Sequence, residues 1–155
     1  MANYRRIFLN GFSYYLTIVT HKRNPILVDN IALLRESFRV SKTKYAYTID
    51  AIVILPDHFH MIITPDIPTQ YPQIIRAVKY HFSKHLDARY YAHIEQSKSR
   101  AKRGSKPIWQ KRYYEHTIRN EKDYMEKLTY MYHNPVKHQY VIKSDAWVYS
   151  SFNFK

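Results

Sequence analysis

The sequence predicts an α+β fold of the ferredoxin-like, split βαβ type: an antiparallel sheet with helices on one face, followed by a C-terminal helix. Two observations support this prediction. Strand-like and amphipathic segments alternate in the order β-α-β-β-α-β-α. The chain has 155 residues, which is the length of one domain with one core. Residues 1–155 are therefore interpreted as a single domain.

Four segments have the β-branched and aromatic composition of strands, and these are residues 12–20, 45–55, 58–64 and 113–119. Pro56 separates the second segment from the third, because proline cannot donate to a central ladder. The second and third strands are therefore expected to form a hairpin.

Three segments carry apolar residues at helical spacing, at about 29–40, 75–86 and 120–133. Asp29 or Asn30 is expected to cap the first of these helices, and Asn120 the last. Pro135 is expected to end the last helix.

The charge of the chain indicates a polyanionic partner. Lys and Arg number 25 against 12 Asp and Glu, for a net charge of +13. The 16 tyrosines are interleaved with basic residues, as in WQKRYY, whereas a membrane-surface helix would place the two kinds on opposite faces. Single-stranded nucleic acid is therefore the favoured partner. The polar and basic residues at about 95–107 predict a flexible loop that becomes ordered on nucleic acid.

Cysteine is absent from the chain, which excludes a disulfide scaffold, a thiolate zinc site and a cysteine nucleophile. No apolar run approaches the length of a membrane span, and the first residues do not have the pattern of a signal peptide. A cytoplasmic location with no membrane association is expected.

The stretch PDHFHMII contains two histidines one residue apart. Because side chains alternate along a strand, His58 and His60 are predicted to share one face, and Phe59 the other. Two imidazoles at this spacing can converge on one divalent ion. The alternative is a pair of ordinary surface histidines, since the chain contains nine.

A two-histidine site leaves coordination positions open for a substrate phosphate, so Mg²⁺ or Mn²⁺ is expected, and nitrogen ligands favour Mn²⁺. Alternation predicts that Asp57 points away from the pair. A third ligand must therefore come from elsewhere in the chain.

The last predicted helix has an apolar stripe expected to pack on the sheet, formed by Tyr124, Met125, Leu128, Met131 and Tyr132. Tyr130 lies opposite this stripe, on the side of Asp123, Glu126, Lys127 and Asn134. It is therefore either a surface residue or a reactive hydroxyl. Asn134, four residues further on, is its neighbour on that side.

Five stretches together resemble the HUH single-strand nucleases and transposases, and most closely the REP-associated tyrosine transposases of the single-tyrosine branch. They are YRR, VILPDHFHMII, IWQKRYYEHTIRNEKDY, YMYHNPVKH and WVYSSF. They occur in order from Tyr4 to Phe152, which is nearly the whole chain.

The resemblance implies that His58 and His60 bind the metal, that Tyr130 is the nucleophile and that Asn134 is the third ligand by analogy. The implied substrate is single-stranded DNA beside a palindromic hairpin, cleaved through a 5′-phosphotyrosine, with the protein associated with the nucleoid. A monomer is favoured over a dimer that exchanges the tyrosine helix. The residues expected to contact DNA are Arg76, Lys79, Lys98, Arg100, Lys102, Arg103, Lys111, Arg112 and Tyr113.

Three other functions fit parts of the pattern. A metal hydrolase would use water as nucleophile and would not need Tyr130. A non-catalytic ferredoxin-like domain that binds RNA or DNA would need aromatic residues on the open face of the central strands, where the histidines stand instead. A replication initiator or relaxase would use the same chemistry in a larger protein.

Overall fold

The computed structural model describes residues 12–153, so the YRR stretch at residues 4–6 lies outside the described residues. Within that range no helix is long and apolar enough to cross a membrane. The principal elements are β1 (Tyr14–Val19), α1 (Ile31–Lys42), β2 (Tyr47–Ile54), β3 (His58–Pro65), α2 (Tyr71–His85), α3 (Lys98–Lys102), β4 (Tyr114–Thr117) and α4 (Glu121–Lys137).

The four strands form one antiparallel sheet in the order β2-β3-β1-β4. This order confirms the predicted ferredoxin-like arrangement and the hairpin of β2 with β3. In the centre of the sheet, His60 on β3 lies opposite Thr17 on β1 and Val53 on β2. The register of β2 against β3 shifts between Ile49 and Ala51.

Alternation along the strands divides the buried side chains into two clusters, one on each face. The first cluster contains Leu16 and Phe59 from the sheet and Phe82 from α2. The second contains Tyr15 and Ile62 from the sheet together with side chains from α4 and the C-terminal segment. The face expected to be open is thus partly covered by α4, so one helix lies on the opposite face from α1 and α2.

The sequence predicted the start of α4 correctly but not its end. At the start, Asn120 Oδ1 accepts a hydrogen bond from Asp123 N at 2.9 Å, which confirms the predicted cap. At the other end, Pro135 does not stop the helix, which continues to Lys137. Proline has a φ near −65°, which the final turn of a helix accommodates, and it removes only one N–H donor.

The helix ends instead in a Schellman motif. Gln139 takes a left-handed φ of 64°. Its N–H donates to Val136 O at 2.9 Å, and the N–H of Tyr140 donates to Pro135 O at 2.9 Å. The chain therefore turns back sharply towards the sheet at Gln139.

Two further predictions about helices are wrong in detail. Asn30 occupies the N-cap position of α1, but its side-chain amide donates to Ile26 O at 2.8 Å and makes no capping bond. On α4, Met131 is fully buried as expected, but Met125 is 52 % exposed. The buried stripe on α4 therefore does not include Met125.

The segment expected to be a flexible loop, residues 95–107, contains the short helix α3. Ser97 Oγ accepts a hydrogen bond from Arg100 N at 3.2 Å and caps this helix. The Arg100 guanidinium in turn donates to His21 Nδ1 at 3.1 Å and to Trp109 O at 3.2 Å. Arg100 thus attaches this basic segment to the body of the protein.

Candidate active site

The two histidines on β3 lie side by side on the face covered by α4. Each is 4 % exposed, and their ring centroids are 4.9 Å apart. Phe59, between them, belongs to the core cluster on the opposite face. Alternation along β3 therefore places both imidazoles as the sequence predicts.

Each histidine is oriented through its Nδ1 atom. Asp57 Oδ1 lies 2.6 Å from His58 Nδ1. On His60, Nδ1 is within hydrogen-bond distance of the hydroxyls of Tyr15 (2.9 Å) and Thr17 (2.8 Å). The prediction that Asp57 points away is wrong, because Asp57 precedes the first residue of β3 and strand alternation does not govern it.

The opposite nitrogen of His60, Nε2, is buried and has no hydrogen-bond partner among the described residues. Burial, together with the charges of His58 and His138, lowers the pKa of His60 to about 3. The ring is therefore neutral near pH 7, and a neutral imidazole has the lone pair that metal coordination requires.

Tyr130 on α4 faces the histidine pair. Its ring centroid lies 5.4 Å from that of His60 and 6.5 Å from that of Tyr15. Lys137, two turns along the helix, donates a hydrogen bond from Nζ to the Tyr130 hydroxyl at 3.2 Å. Tyr130 is 37 % exposed, so its hydroxyl is accessible to a substrate.

A single cavity of about 550 Å³ contains these groups. It brings together His58, His60 and Tyr130 from elements that are distant in the sequence. Its other lining residues are Tyr15, Thr17, Arg23, Tyr114, Glu126, Lys127, Lys137 and His138. Neither Lys137 nor His138 was predicted from the sequence to belong to the site. Lys137 could have been, because it lies seven residues after Tyr130 and hence on the same side of the helix.

Asn134, the predicted third ligand, is fully buried and does not line this cavity. Neither its amide oxygen nor its amide nitrogen has a hydrogen-bond partner within residues 12–153. The prediction that it lies on the solvent side of α4 is wrong, as is the same prediction for Asp123, which is 3 % exposed. An unpaired buried amide is costly, and residues 12–153 do not supply the partner that it requires.

The residues that can coordinate a cation are few. In the described part of the chain, no group of three or more His, Cys, Asp or Glu side chains is placed to hold a metal ion. The donor set of the cavity is therefore two imidazoles, together with the carboxylate of Glu126 on α4, which lines the same cavity, whereas Asn134 does not. Two nitrogen ligands and one oxygen ligand fit Mn²⁺ or Mg²⁺ with open positions and do not fit a closed structural zinc site.

Asp123 attaches the start of α4 to β4. Its carboxylate accepts hydrogen bonds from His116 Nε2 at 2.7 Å and from Arg119 N at 3.0 Å, and Lys127 Nζ lies 3.4 Å away. Burial alone would raise the pKa of Asp123, but these contacts lower it to about 2. Because Lys127 also lines the cavity, this network helps to position the helix that carries Tyr130.

The residues expected to contact DNA do not surround the histidine pair. Arg76, Lys79, Lys111 and Tyr113 line a separate cavity of about 380 Å³ beside α2. Lys79 and Lys111 also border a neighbouring cavity of about 570 Å³, which Arg100 and Arg103 share. These two adjoining cavities are called the basic cleft below. Lys98, Lys102 and Arg112 are exposed and line neither of them.

Lys79 is a half-buried cation of the basic cleft. Its Nζ donates to Gln110 O at 3.1 Å and lies 5.2 Å from the centroid of the Tyr113 ring. Burial, together with the charge of Arg100, lowers the pKa of Lys79 to about 8. A phosphate placed here would therefore compensate both the desolvation and the repulsion.

Comparison with known proteins identifies the family. Residues 9–132 match the family model described as "Transposase IS200 like". A Haemophilus influenzae protein assigned to the REP-associated tyrosine transposases is 38 % identical over 157 residues, covering 99 % of this chain and 86 % of that protein. The REP-associated tyrosine transposase of Escherichia coli K12 is 32 % identical over 155 residues, covering 99 % of this chain and 84 % of that protein.

Solved structures agree with these matches. A REP-associated tyrosine transposase bound to a REP hairpin superposes with a TM-score of 0.75 at 32 % identity, covering 99 % of this chain and 84 % of that one. A transposase-like protein of Deinococcus radiodurans, at 21 % identity and a TM-score of 0.52, supports the fold alone, with coverage of 83 % of this chain and 91 % of that one. The chain therefore belongs to the IS200-like transposase family, among the REP-associated tyrosine transposases, which are DNA nicking and joining enzymes.

Proposed function

We propose that this chain is a metal-dependent single-stranded DNA endonuclease and strand transferase that forms a 5′-phosphotyrosine on Tyr130. The observation that carries the proposal is the placement of Tyr130 in the same cavity as His58 and His60, with its ring 5.4 Å from that of His60. A tyrosine hydroxyl beside a pair of oriented imidazoles provides a nucleophile and a cation site next to one phosphate.

The cation would be Mg²⁺ or Mn²⁺, held by His58 and His60; Asn134 does not line the cavity, so its side chain would have to move to serve as the third ligand. The unpartnered Nε2 of His60 supports the role of the histidines. Asp57 orients His58 as a carboxylate commonly orients a metal-binding histidine. Such an ion, when bound, polarises the non-bridging oxygens of a phosphate and offsets the charge that develops on them.

The covalent step is assigned to Tyr130. Its hydroxyl oxygen attacks phosphorus in line with the departing 3′-oxygen, so that the P–O3′ bond breaks as the P–O bond to tyrosine forms. The Lys137 ammonium, 3.2 Å from that hydroxyl, stabilises negative charge on the oxygen as its proton leaves. The products are a 5′-phosphotyrosine and a free 3′-hydroxyl. Because the phosphotyrosine bond retains the energy of the broken phosphodiester bond, a second 3′-hydroxyl can reverse the step and join strands without ATP.

We assign single-stranded DNA beside a palindromic hairpin as the substrate. The solved relative at 32 % identity is bound to a REP hairpin. The net charge of +13 and the cations of the basic cleft supply the phosphate contacts that a folded DNA hairpin requires.

We also infer that one chain forms a complete active site. Three residues separate β4 from α4, and Tyr130 packs beside His60 of its own chain. Mixing a His58→Ala protein with a Tyr130→Phe protein should therefore restore no activity. Restored cleavage would show that the tyrosine helix is exchanged between two chains.

The covalent intermediate tests the function directly. A hairpin oligonucleotide with a single-stranded flank, labelled at its 3′ end, is incubated with protein and Mn²⁺ and resolved on a denaturing gel. We expect a labelled protein band whose adduct maps to Tyr130 by mass spectrometry. Tyr130→Phe should lose the band, whereas the control Tyr132→Phe should keep it, because Tyr132 packs against Phe152.

Two outcomes would overturn the assignment. An adduct on another tyrosine would mean that Tyr130 is not the nucleophile. Efficient cleavage without any adduct, retained in Tyr130→Phe, would indicate a metal hydrolase that uses water.

A further inference from the structure

A series of aromatic rings leads out of the catalytic cavity along the C-terminal segment. His138, which lines the cavity, has its ring centroid 5.1 Å from that of His58. The centroid of Tyr140 is 6.4 Å from that of His138, and Trp147 is 5.4 Å beyond Tyr140. The Tyr140 ring is tilted by 37° to His138 and by 34° to Trp147, and it lies closer to Trp147 than to His138, so the three rings do not form a continuous stack.

Backbone and side-chain hydrogen bonds hold this series in place. The Schellman motif at Gln139 turns Tyr140 back towards the sheet. Trp147 Nε1 donates to Ile54 O at 2.9 Å, and Ile54 N donates to Tyr149 O at 2.8 Å. Both ends of the series are therefore attached to rigid elements, which is what a preformed binding surface requires.

Arg23 stands at the same end of the cavity. Its guanidinium lies 3.2 Å from Asp57 Oδ2 and its side chain is 58 % exposed, so it can still approach a phosphate. Arg23 and its predecessor Lys22 both have a φ of 53°, which is a strained conformation for residues other than glycine. Strain of this kind persists where the surrounding structure enforces it and is concentrated at functional sites.

Direct contacts link Arg23 to the aromatic series, because Arg23 pairs with Asp57 and Asp57 in turn contacts His58, whose ring adjoins that of His138. Tyr140 is 43 % exposed, so part of its ring is accessible to a ligand. An exposed aromatic ring beside a cation is the arrangement with which proteins bind unpaired nucleotides, since every base has a face that can stack.

We propose that Tyr140 and Arg23 form a subsite for one unpaired nucleotide of the single strand, next to the phosphate that Tyr130 attacks. The base stacks on the Tyr140 ring and the phosphate of that nucleotide pairs with Arg23. Two features indicate a nucleotide as the occupant. The aromatic series is continuous with the catalytic cavity, and the mouth of the cavity is positively charged. The subsite rests on the proposed function, and it adds a contact that holds the strand in register.

Photocrosslinking tests the subsite without relying on cleavage. The Tyr130→Phe protein is mixed with hairpin oligonucleotides that carry one 5-iododeoxyuridine at successive positions of the single-stranded flank. We expect one position to crosslink to Tyr140, as located by mass spectrometry. Introducing Tyr140→Ala should abolish that crosslink and weaken DNA affinity by about 5- to 150-fold, which corresponds to one lost stacking contact.

Tyr140→Phe is the matched control, because it keeps the ring and should keep both the crosslink and the affinity. Thermal denaturation shows whether Tyr140→Ala is folded, and Tyr140→Leu is the alternative if it is not. Crosslinks confined to other residues, such as Tyr80 or Tyr113 beside the basic cleft, would overturn the proposal, as would unchanged affinity in a folded Tyr140→Ala protein. A Tyr140 crosslink in a protein whose wild type forms no adduct would contradict the proposed function and leave the subsite intact.

Discussion

The carboxylate of Asp57 lies 2.6 Å from Nδ1 of His58 and determines which nitrogen of that ring faces the cavity. Tyr15 and Thr17 do the same for His60 through their hydroxyls. Both Nδ1 atoms are therefore occupied by protein groups, and the Nε2 atom of His60 has no hydrogen-bond partner within residues 12–153. A pair of histidines that served only to pack against the sheet would not require this orientation.

The Asp57 contact predicts how metal affinity responds to mutation. Asp57→Ala should weaken Mn²⁺ binding by about 10- to 100-fold, the usual effect of removing a group that orients a metal-binding histidine. Titration of cleavage against Mn²⁺, together with calorimetry of the protein alone, measures the change. Asp66→Ala, in an exposed residue after β3, is the control. Equal affinity in the two variants would contradict the two-histidine site.

Lys137 is expected to contribute to the rate of the covalent step. Lys137→Met removes the only cation whose hydrogen bond to the Tyr130 hydroxyl is present among residues 12–153. We expect adduct formation at saturating DNA to slow by about 10- to 100-fold, as for the loss of a hydrogen bond to a charged group. Lys137→Arg should retain most of the rate. Single-turnover measurements decide the matter, and an unchanged rate in Lys137→Met would limit Lys137 to a role in packing.

The basic cleft predicts a specific dependence of DNA affinity on salt. When a protein binds a single strand, each phosphate that it neutralises adds about 0.7 to the magnitude of the slope of log affinity against log salt concentration. Replacing Lys79 and Lys111 by Gln should lower the slope by about 1.4 if each contacts one phosphate. Replacing Lys98 and Lys102, which lie on α3 outside the cleft, should change it less. Equal changes in the two pairs would show that the cleft has no special role.

The low pKa of Asp123 predicts that the folded protein loses stability in acid. Its pKa is about 2 in the folded protein, against an ordinary value of 3.8. Between these two values the unfolded chain binds a proton that the folded chain does not, so the free energy of unfolding falls as the pH is lowered through this window. Asp123→Asn should reduce that fall, and it should lower stability at pH 7 by removing the ion pairs at the start of α4. Denaturant titrations between pH 2 and about pH 7 measure both effects.

The left-handed residue at the end of α4 predicts a stabilising substitution. Gln139→Gly should raise the free energy of unfolding by about 0.5–1 kcal/mol, because glycine adopts a φ of 64° without the strain of a side chain. His138→Gly should instead lower it, since the φ of His138 is −89° and glycine there only adds freedom to the unfolded chain. Thermal denaturation compares the two variants, and a destabilised Gln139→Gly protein would contradict the expectation.

Local periodicity explains the part of the site that was predictable from the sequence. His58 and His60 share a face because the period of a strand is two. The predicted stripe on α4 placed Tyr130 away from the sheet, whereas its ring lies beside Tyr15 and His60 of the sheet, so the helical pattern alone did not give the packed side of α4. Asp57 was mispredicted because it belongs to a turn, where neither period applies. Tyr15 and Thr17 reach His60 across 45 and 43 residues of sequence, and such contacts depend on strand order rather than on any local pattern.

The basic residues show the same division between local and long-range information. Their charge indicates DNA, but charge does not show which cations share a surface. Arg100 was expected to be free in a flexible loop, whereas its guanidinium is hydrogen-bonded to His21 and Trp109. Lys79 and Lys111 are brought together by α2 and the segment before β4, which are 32 residues apart in numbering at these two positions.

The placement of Tyr130 beside His60 of the same chain has a kinetic consequence. If one chain forms the complete active site, as proposed, a nick requires no encounter between two copies of the protein, and its rate per molecule is independent of dilution. Joining two DNA ends held by different molecules is second order and becomes rarer as the protein becomes scarce. A cell that keeps few copies would therefore favour nicking and resealing of one site over exchange between two.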